Sequence, residues 1–392
     1  MDRTNDIVID RQVSWLADPD GQAVCAALTA RGYQALFVGG CVRNALLGLP
    51  DSDVDIATDA LPEQTMQIAQ DAGFKAVPTG IDHGTVTVVV NDKPFEITTF
   101  RRDVATDGRR AVVAFSQDIR DDALRRDFTM NALYARPDGT LVDPLGGLPD
   151  VQARRIRFIE DADARIREDY LRTLRFFRFF AWYAEDAQGF DTDAIDAIAR
   201  NLEGLATLSA ERVGQEIRKL LSASDPAFAL AGMRQTGVLN TILPGADDKQ
   251  IGPLVHFEQV LGLSPDWQTR LIALGGQDVV DRLRLSRAEA KTHETLHHAF
   301  EQMIAPAEVA YRHGQQAGTS VLLLRATLAE MPPNPEEIQR LSDAANSTFP
   351  LKAADLMPEF KGPALGARLK ELERKWIASG FTLKKSELLN LP

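Results

Sequence analysis

Residues 37–58 read FVGGCVRNALLGLPDSDVDIAT. An apolar strand-like run meets a glycine pair, a short helix-like segment VRNALLGL follows, and acids then fall at every second position: Asp51, Asp53 and Asp55, separated by Ser52 and Val54. On a strand, alternate side chains share a face, so these carboxylates would stand together and call for something positive. Two carboxylates at i and i+2 on a strand end suit Mg²⁺, which takes oxygen ligands from protein and from substrate phosphate. Asp53 and Asp55 are the candidate pair, as catalytic residues and as metal ligands. Gly39 and Gly40 permit close backbone approach, and the N-terminus of the following helix offers amide donors to a triphosphate. Alternating acids alone are most often a solvated strand face; the glycine turn and helix beside them give them chemistry.

In the flanking sequence, ALFVGG reads as a strand, and LPEQTMQIAQDAG opens a helix. GTVTVVV and FEITTF read as two strands of a hairpin turning at NDKP. Glu96, in the second of these strands, is placed to be a third catalytic carboxylate. Between Phe100 and Phe115, RRDVATDGRRAVVA is polar and contains glycine, and reads as a mobile loop beside the site. From about residue 150 strand signals fade, and helical patterns such as REDYLRTLRFFRFFAWYAE and SAERVGQEIRKLLS take over. The fold class is therefore α+β: an N-terminal head of mixed sheet plus helices, then an all-α region. Pro and Gly stretches at DPLGGLPD, LPGADD, MPPNPEE and MPEFKGPALG mark the boundaries. They divide the chain into a catalytic head (1–150), a helical neck (151–222), a helical body (223–330) and a helical tail (331–392).

The 392 residues are 44% apolar and 26% charged, the balance of an ordinary globular protein. With 44 basic and 56 acidic residues the net charge is −12, which excludes a protein that coats nucleic acid by bulk charge. Cys25 and Cys41 form neither a disulfide framework nor a metal-type spacing, which points to a reducing compartment. The opening MDRTNDIVID carries acids where a signal peptide would carry bases, and no apolar run has the length of a membrane span. A cytoplasmic location is expected, with no membrane partner; oligomeric state is not legible.

Four motifs in order now carry a resemblance: VGGCVRNALLGLPDSDVDIAT, RRDFTMNALY from Arg125, DPLGG from Asp143 and EDYLRTLRFFRF from Glu168. Together they resemble the class II tRNA nucleotidyltransferases, the CCA-adding enzymes and bacterial poly(A) polymerases. SAERVGQEIRKLL and GPALGARLKELERKW are also similar to that family, so the likeness spans nearly the whole chain. The resemblance implies a nucleotidyltransferase head like the palm of DNA polymerase beta, Mg²⁺ as cofactor, CTP and ATP as substrates and the tRNA 3′ end as partner. It implies nucleotide-binding roles for Gly40 and Arg43 at the triphosphate, and for Arg126 and Asp127 at the ribose and phosphates. The segment 101–114 resembles the family's flexible loop that accompanies addition of the terminal A. One departure stands in the first motif, where Asn44 follows the arginine and the family commonly has aspartate.

Asp169, Arg172, Arg175 and Arg178 recur every three residues, and on one helix they would form a stripe. By itself that pattern is an ion-pair ladder. An ionised aspartate only accepts hydrogen bonds and an arginine only donates. Cytosine and adenine each present an amine donor beside a ring-nitrogen acceptor, so Asp169 and Arg172 side by side match both. Uracil and guanine present a carbonyl beside an N–H and would oppose like with like. Each unpaired buried polar group costs roughly 1–3 kcal/mol, enough in combination to exclude UTP and GTP. The resemblance implies this template role, with Arg175 and Arg178 supporting the nucleotide.

The main reading is a CCA tRNA nucleotidyltransferase. A poly(A) polymerase or an enzyme adding only the terminal A shares the motifs, and a catalytically silent tRNA-binding protein is the alternative of another class. HETLH at 293–297 matches a zinc-protease pattern but has no third ligand, and reads as a solvated helix face. The aromatic run Phe176, Phe177, Phe179, Phe180, Trp182 and Tyr183 reads mainly as helix packing.

Overall fold

Strand β1 (Ala35–Val38) is buried at all four positions, as an uninterrupted apolar run requires of a strand covered on both faces. It pairs antiparallel with β2 (Asp55–Thr58), and β2 lies parallel to β5. The head sheet is completed by β3 (Lys75–Gly80), β4 (Thr85–Val90), β5 (Lys93–Thr99), β8 (Tyr134–Ala135) and β9 (Leu141–Val142), in the order β3-β4-β5-β2-β1-β8-β9. The computed structural model describes residues 7–50, 52–107, 110–185 and 188–392.

The hairpin β4–β5 turns at Asn91 and Asp92, both with positive φ (47° and 64°). This is the two-residue geometry that matches strand twist and that Asn and Asp tolerate. The segment expected to be a loop is instead a two-stranded antiparallel ribbon, β6 (Arg101–Asp107) with β7 (Arg110–Phe115). Residues 108 and 109 lie outside the described residues.

Helices α1 (Ser14–Ala17) and α2 (Pro19–Thr29) cover one sheet face, where Trp15 packs on Phe37 with ring centroids 4.8 Å apart. Helix α3 (Gly40–Leu47) follows β1, and α4 (Pro62–Asp71) follows β2. Leu36, Val38 and Ala57 face the other way into a core with Phe100, Ala123, Tyr134 and Ile159. Ala123 comes from α5 (Ile119–Leu124).

Asp143 of DPLGG accepts hydrogen bonds from Gly147 N (2.8 Å) and Leu148 N (2.9 Å), and so starts α6 (Leu148–Gln152). Helices α7 (Ala162–Glu168), α8 (Leu171–Tyr183), α9 (Thr192–Arg200) and α10 (Ala210–Leu221) then follow. The pattern read as one helix from 167 onward is thus broken at Asp169 and Tyr170. Phe176, Phe177, Phe179 and Phe180 are buried on α8, Tyr183 is nearly so, and Trp182 is 46% exposed. The run is mainly packing, as its sequence indicates.

Two compact units divide the chain. One extends through Leu220 and includes Phe228–Ile242, contributed by α11 (Ala227–Gln235) and α12 (Val238–Ile242). The other comprises Leu221–Ala227 and Leu243–Pro392, and from Leu243 on its described elements are all helical. Its interior holds an ion pair, Arg270 with Glu258 at 2.6 Å, and Arg270 also donates to Leu221 O at 2.8 Å. The HETLH stretch lies on the helix Arg287–Glu301, but His293 is buried rather than solvated, because it falls on the same face as the core residues Leu296 and Ala299. Burial lowers its pKa, with His297 adding to the effect. Among the described residues no helix is long and apolar enough to cross a membrane.

A Cβ at Gly147 would stand 2.3 Å from the backbone oxygen of Thr129. Gly147→Ala is expected to destabilise the first unit by about 1–3 kcal/mol through overpacking, read as a lower urea midpoint.

Candidate active site

The strand end places the acids. In the β2 register Asp55 stands opposite Val38, one residue before the glycine turn, and beside Glu96 on β5. Register partners in parallel strands project to the same face, so Asp55 and Glu96 are neighbours. Asp53 differs from expectation: β2 begins only at Asp55, so Asp53 lies in the extended segment before it and is exposed. Asp51 lies outside the described residues.

The Asp55 carboxyl is pushed up to about 6, chiefly by burial and then by the negative charge of Glu96; Arg126 pulls it back in part, and Asp53 adds the smallest push. A crowded, reluctantly ionised oxygen cluster is the environment a hard divalent cation relieves. Among the described residues no three His, Cys, Asp or Glu side chains already form a metal cage. The donors present, all carboxylate, nevertheless fit Mg²⁺ with substrate oxygens completing its shell.

Gly39 caps α3 at φ 76°, a conformation that favours glycine, and a Cβ there would also approach Arg126 Nη1 at 3.5 Å. At Gly40 a Cβ would meet Ser52 Oγ at 2.7 Å. Arg43 is 5% exposed. It donates to Asn44 Oδ1 (2.9 Å from Nη2), Asn131 Oδ1 (2.6 Å) and Tyr183 Oη (2.7 Å), and its guanidinium lies 4.1 Å from the Tyr183 ring centre. Burial lowers its pKa. Asn44 thus serves Arg43 as a neutral acceptor while its own amide donates to Pro50 O at 2.7 Å, so no carboxylate cancels the arginine charge there.

Arg126 is held by Asp122 (2.9 Å) and Tyr134 Oη (3.2 Å). Asp127 accepts from Phe128 N (2.9 Å), Asn131 Nδ2 (2.9 Å) and Arg175 Nε (2.6 Å). Burial alone would raise the Asp127 pKa; Arg175 and these hydrogen bonds outweigh it and hold the carboxyl at about 2.

The expected four-residue helical stripe is corrected by the break before α8. Asp169 precedes the helix in an extended conformation (φ −153°, ψ 104°), and only Arg172, Arg175 and Arg178 ride on it. Asp169 and Arg172 are each held by a different residue. Asp169 accepts from Leu171 N (3.1 Å) and from Arg212 of α10 (2.6 Å). Arg172 donates to Glu168 (2.6 Å), Arg165 O (2.9 Å) and Arg125 O (3.0 Å). Arg178 pairs with Glu216 of α10 at 2.6 Å.

A cavity of about 390 Å³ collects most of these groups: Gly39, Gly40, Arg43, Asp55, Arg126, Asp127, Asp169, Arg172 and Arg175 line it. Asp53, Glu96 and Arg178 are not among its lining residues. Phe179, read from the sequence as helix packing, also lines it, as do Arg125, Asn131, Leu171 and Arg212, which were not singled out from the sequence. Arg125 sits inside a quoted motif, and Arg212 inside another, so a charge census of those motifs could have found them. Six arginines against three aspartates make the cavity an anion site within a chain of net charge −12.

Because the folded-state pKa of Asp55 lies above its ordinary value, ionising it weakens the fold. The penalty is absent below about pH 4, grows as pH rises to about 6, and is complete above that. Asp55→Asn is therefore expected to stabilise the protein in EDTA at pH 7.5, on the order of 2–3 kcal/mol for a shift of this size, and to be near neutral at pH 4. Thermal unfolding at the two pH values checks this.

A family model described as the poly A polymerase head domain matches residues 35–157, and one described as the probable RNA and SrmB-binding site of polymerase A matches 190–250. The mouse mitochondrial CCA tRNA nucleotidyltransferase 1 is 32% identical over 376 residues, covering 91% of this chain and 86% of the relative. The CCA-adding enzyme of Geobacillus stearothermophilus is 36% identical over 328 residues, covering 80% and 79%. The crystal structure of the Bacillus stearothermophilus CCA-adding enzyme in complex with CTP superposes with a TM-score of 0.72 at 30% identity, covering 92% of this chain and 94% of that one. The Thermotoga maritima CCA-adding enzyme complexed with tRNA shares the fold, with a TM-score of 0.69 at 19% identity. With relatives matched across nearly its whole length and the head-domain match falling on the strand end and glycine turn described above, the chain belongs to the family of CCA-adding tRNA nucleotidyltransferases.

Proposed function

We propose that this chain adds C, C and A to the 3′ end of tRNA from CTP and ATP. The observation that carries the reading is the single cavity in which Asp55 and the glycine turn meet Asp169 and Arg172, with arginines between. The RNA 3′ oxygen attacks the α-phosphate, the bond from that phosphorus to the bridging oxygen breaks, and pyrophosphate leaves. Asp53 and Asp55, with Glu96 beside them, would hold Mg²⁺, which supplies charge neutralisation at the attacking and leaving oxygens.

The chain's own groups do the rest. The amides at the start of α3, the unoccupied donors of Arg126 and the remaining donor of Arg43 receive the triphosphate. Asp127 holds Arg175 against the cavity and Asn131 against Arg43. Asp169 keeps acceptor capacity beside its bond from Arg212, and Arg172 keeps Nε and one Nη2 hydrogen beside its three bonds, so an amine and a ring nitrogen can be met together. The same pair opposes the pairing edges of uracil and guanine.

Incorporation of labelled CTP and ATP into tRNAs ending at the discriminator base, at C or at CC tests the reading by product length. Stepwise extension stopping at CCA is expected. Addition of A only to the CC-ended tRNA, long A tails, or no product would each replace it. Asp169→Ala is expected to relax choice among the four nucleoside triphosphates, on the order of tenfold or more; competition assays with UTP and GTP measure it.

A further inference from the structure

Asp122 lies on α5, outside every group given a role above, and is completely buried. Its Oδ1 accepts from Arg125 Nε at 2.8 Å and stands 2.7 Å from Arg125 Nη2. Its Oδ2 accepts from Arg126 Nη2 at 2.9 Å and from Tyr134 Oη at 2.7 Å, and the Tyr134 oxygen in turn accepts from Arg126 Nε at 3.2 Å. Among the described residues it is the only carboxylate paired with either arginine. One buried negative charge thus holds two adjacent positive ones.

The same two residues act through their backbones. Arg125 O accepts from Arg172 Nη2 at 3.0 Å, and Arg126 O accepts from Arg165 Nη2. Arg165 also pairs with Glu168, which pairs with Arg172. On the other side, Arg126 Nη1 faces Gly39 at the glycine turn. The 125–126 segment therefore faces the glycine turn through the Arg126 side chain and holds Arg172 through the Arg125 carbonyl.

We infer that Asp122 is a positioning residue that fixes Arg126 for the ribose and phosphates and, through the Arg125 carbonyl, fixes Arg172 for the base, so that selection of sugar and of base depend on one carboxylate. This rests on the proposed roles of Arg126 and Arg172. Without the charge, two neighbouring guanidinium groups repel in a poorly solvated place, and the segment that carries both carbonyls relaxes with them. Burial would raise the Asp122 pKa, but Arg126 and Arg125, with the Tyr134 hydroxyl, hold it at about 2, so the anchor is charged at any working pH.

The test compares wild type, Asp122→Asn and Tyr134→Phe for kcat/KM with CTP, UTP and dCTP on a tRNA lacking its CCA end. Urea midpoints are recorded alongside. Asp122→Asn is expected to lower both the CTP-over-UTP and the CTP-over-dCTP ratios, each on the order of tenfold, the scale of one displaced charge-assisted hydrogen bond. Tyr134→Phe keeps the carboxylate and removes one bond to it, and should shift both ratios the same way by less; it remains informative if Asp122→Asn fails to fold. A discriminating wild type whose variants lose stability or kcat but keep both ratios would overturn the inference alone. A wild type that uses all three nucleotides equally would overturn the functional reading and the inference with it.

Discussion

The bond between the buried Asp127 and the half-buried Arg175, 2.6 Å long, joins the head to helix α8. Removing Arg175 would strand the buried Asp127 charge without its cation. Here the pair does more than hold. Asp127 also orients Asn131, Asn131 accepts from Arg43, and Arg43 reaches Tyr183 on the same helix, so polar links and the apolar contacts of Phe128 with Phe176 and Phe179 close one seam. Without that seam the strand-end acid and the base-reading candidates would belong to separate surfaces. With it they line one cavity.

Electrostatics then divides that cavity. At the sheet, Asp55, Glu96 and Asp53 crowd negative charge until one carboxyl resists ionisation. Above it, arginines outnumber aspartates, and among the described residues the groups hydrogen-bonded to Arg43 are neutral. A polyphosphate with its cation satisfies both halves at once, whereas neither alone would. This resolves how an acidic chain can favour an anionic substrate: local arrangement sets the field, and net charge does not.

The parts that were legible in sequence are those governed by local rules. The glycine turn, the Asn91–Asp92 hairpin, the fully apolar β1 and the placement of Glu96 in a strand beside Asp55 follow from φ preference and side-chain alternation. What failed was also local in origin. The polar ribbon at 101–115 was hidden because charge looks like loop, while ladder pairing across the two segments is not visible in either. The break at Asp169 was hidden because a period of three continues smoothly through it. Partners such as Arg212 for Asp169, 43 residues away, and Tyr183 for Arg43, 140 residues away, have no sequence signal of their own. Only packing brings them together.

One bound nucleotide is expected to span the cavity from the strand end to the α8 helix. The most direct measurement is a crystal structure of the chain with a non-hydrolysable CTP analogue and Mg²⁺. Phosphates are expected between Gly39 and Arg126 with the ion at Asp53 and Asp55, and the cytosine pairing edge on Asp169 and Arg172. A nucleotide whose base lies away from that pair, or whose phosphates avoid the glycine turn, would contradict it.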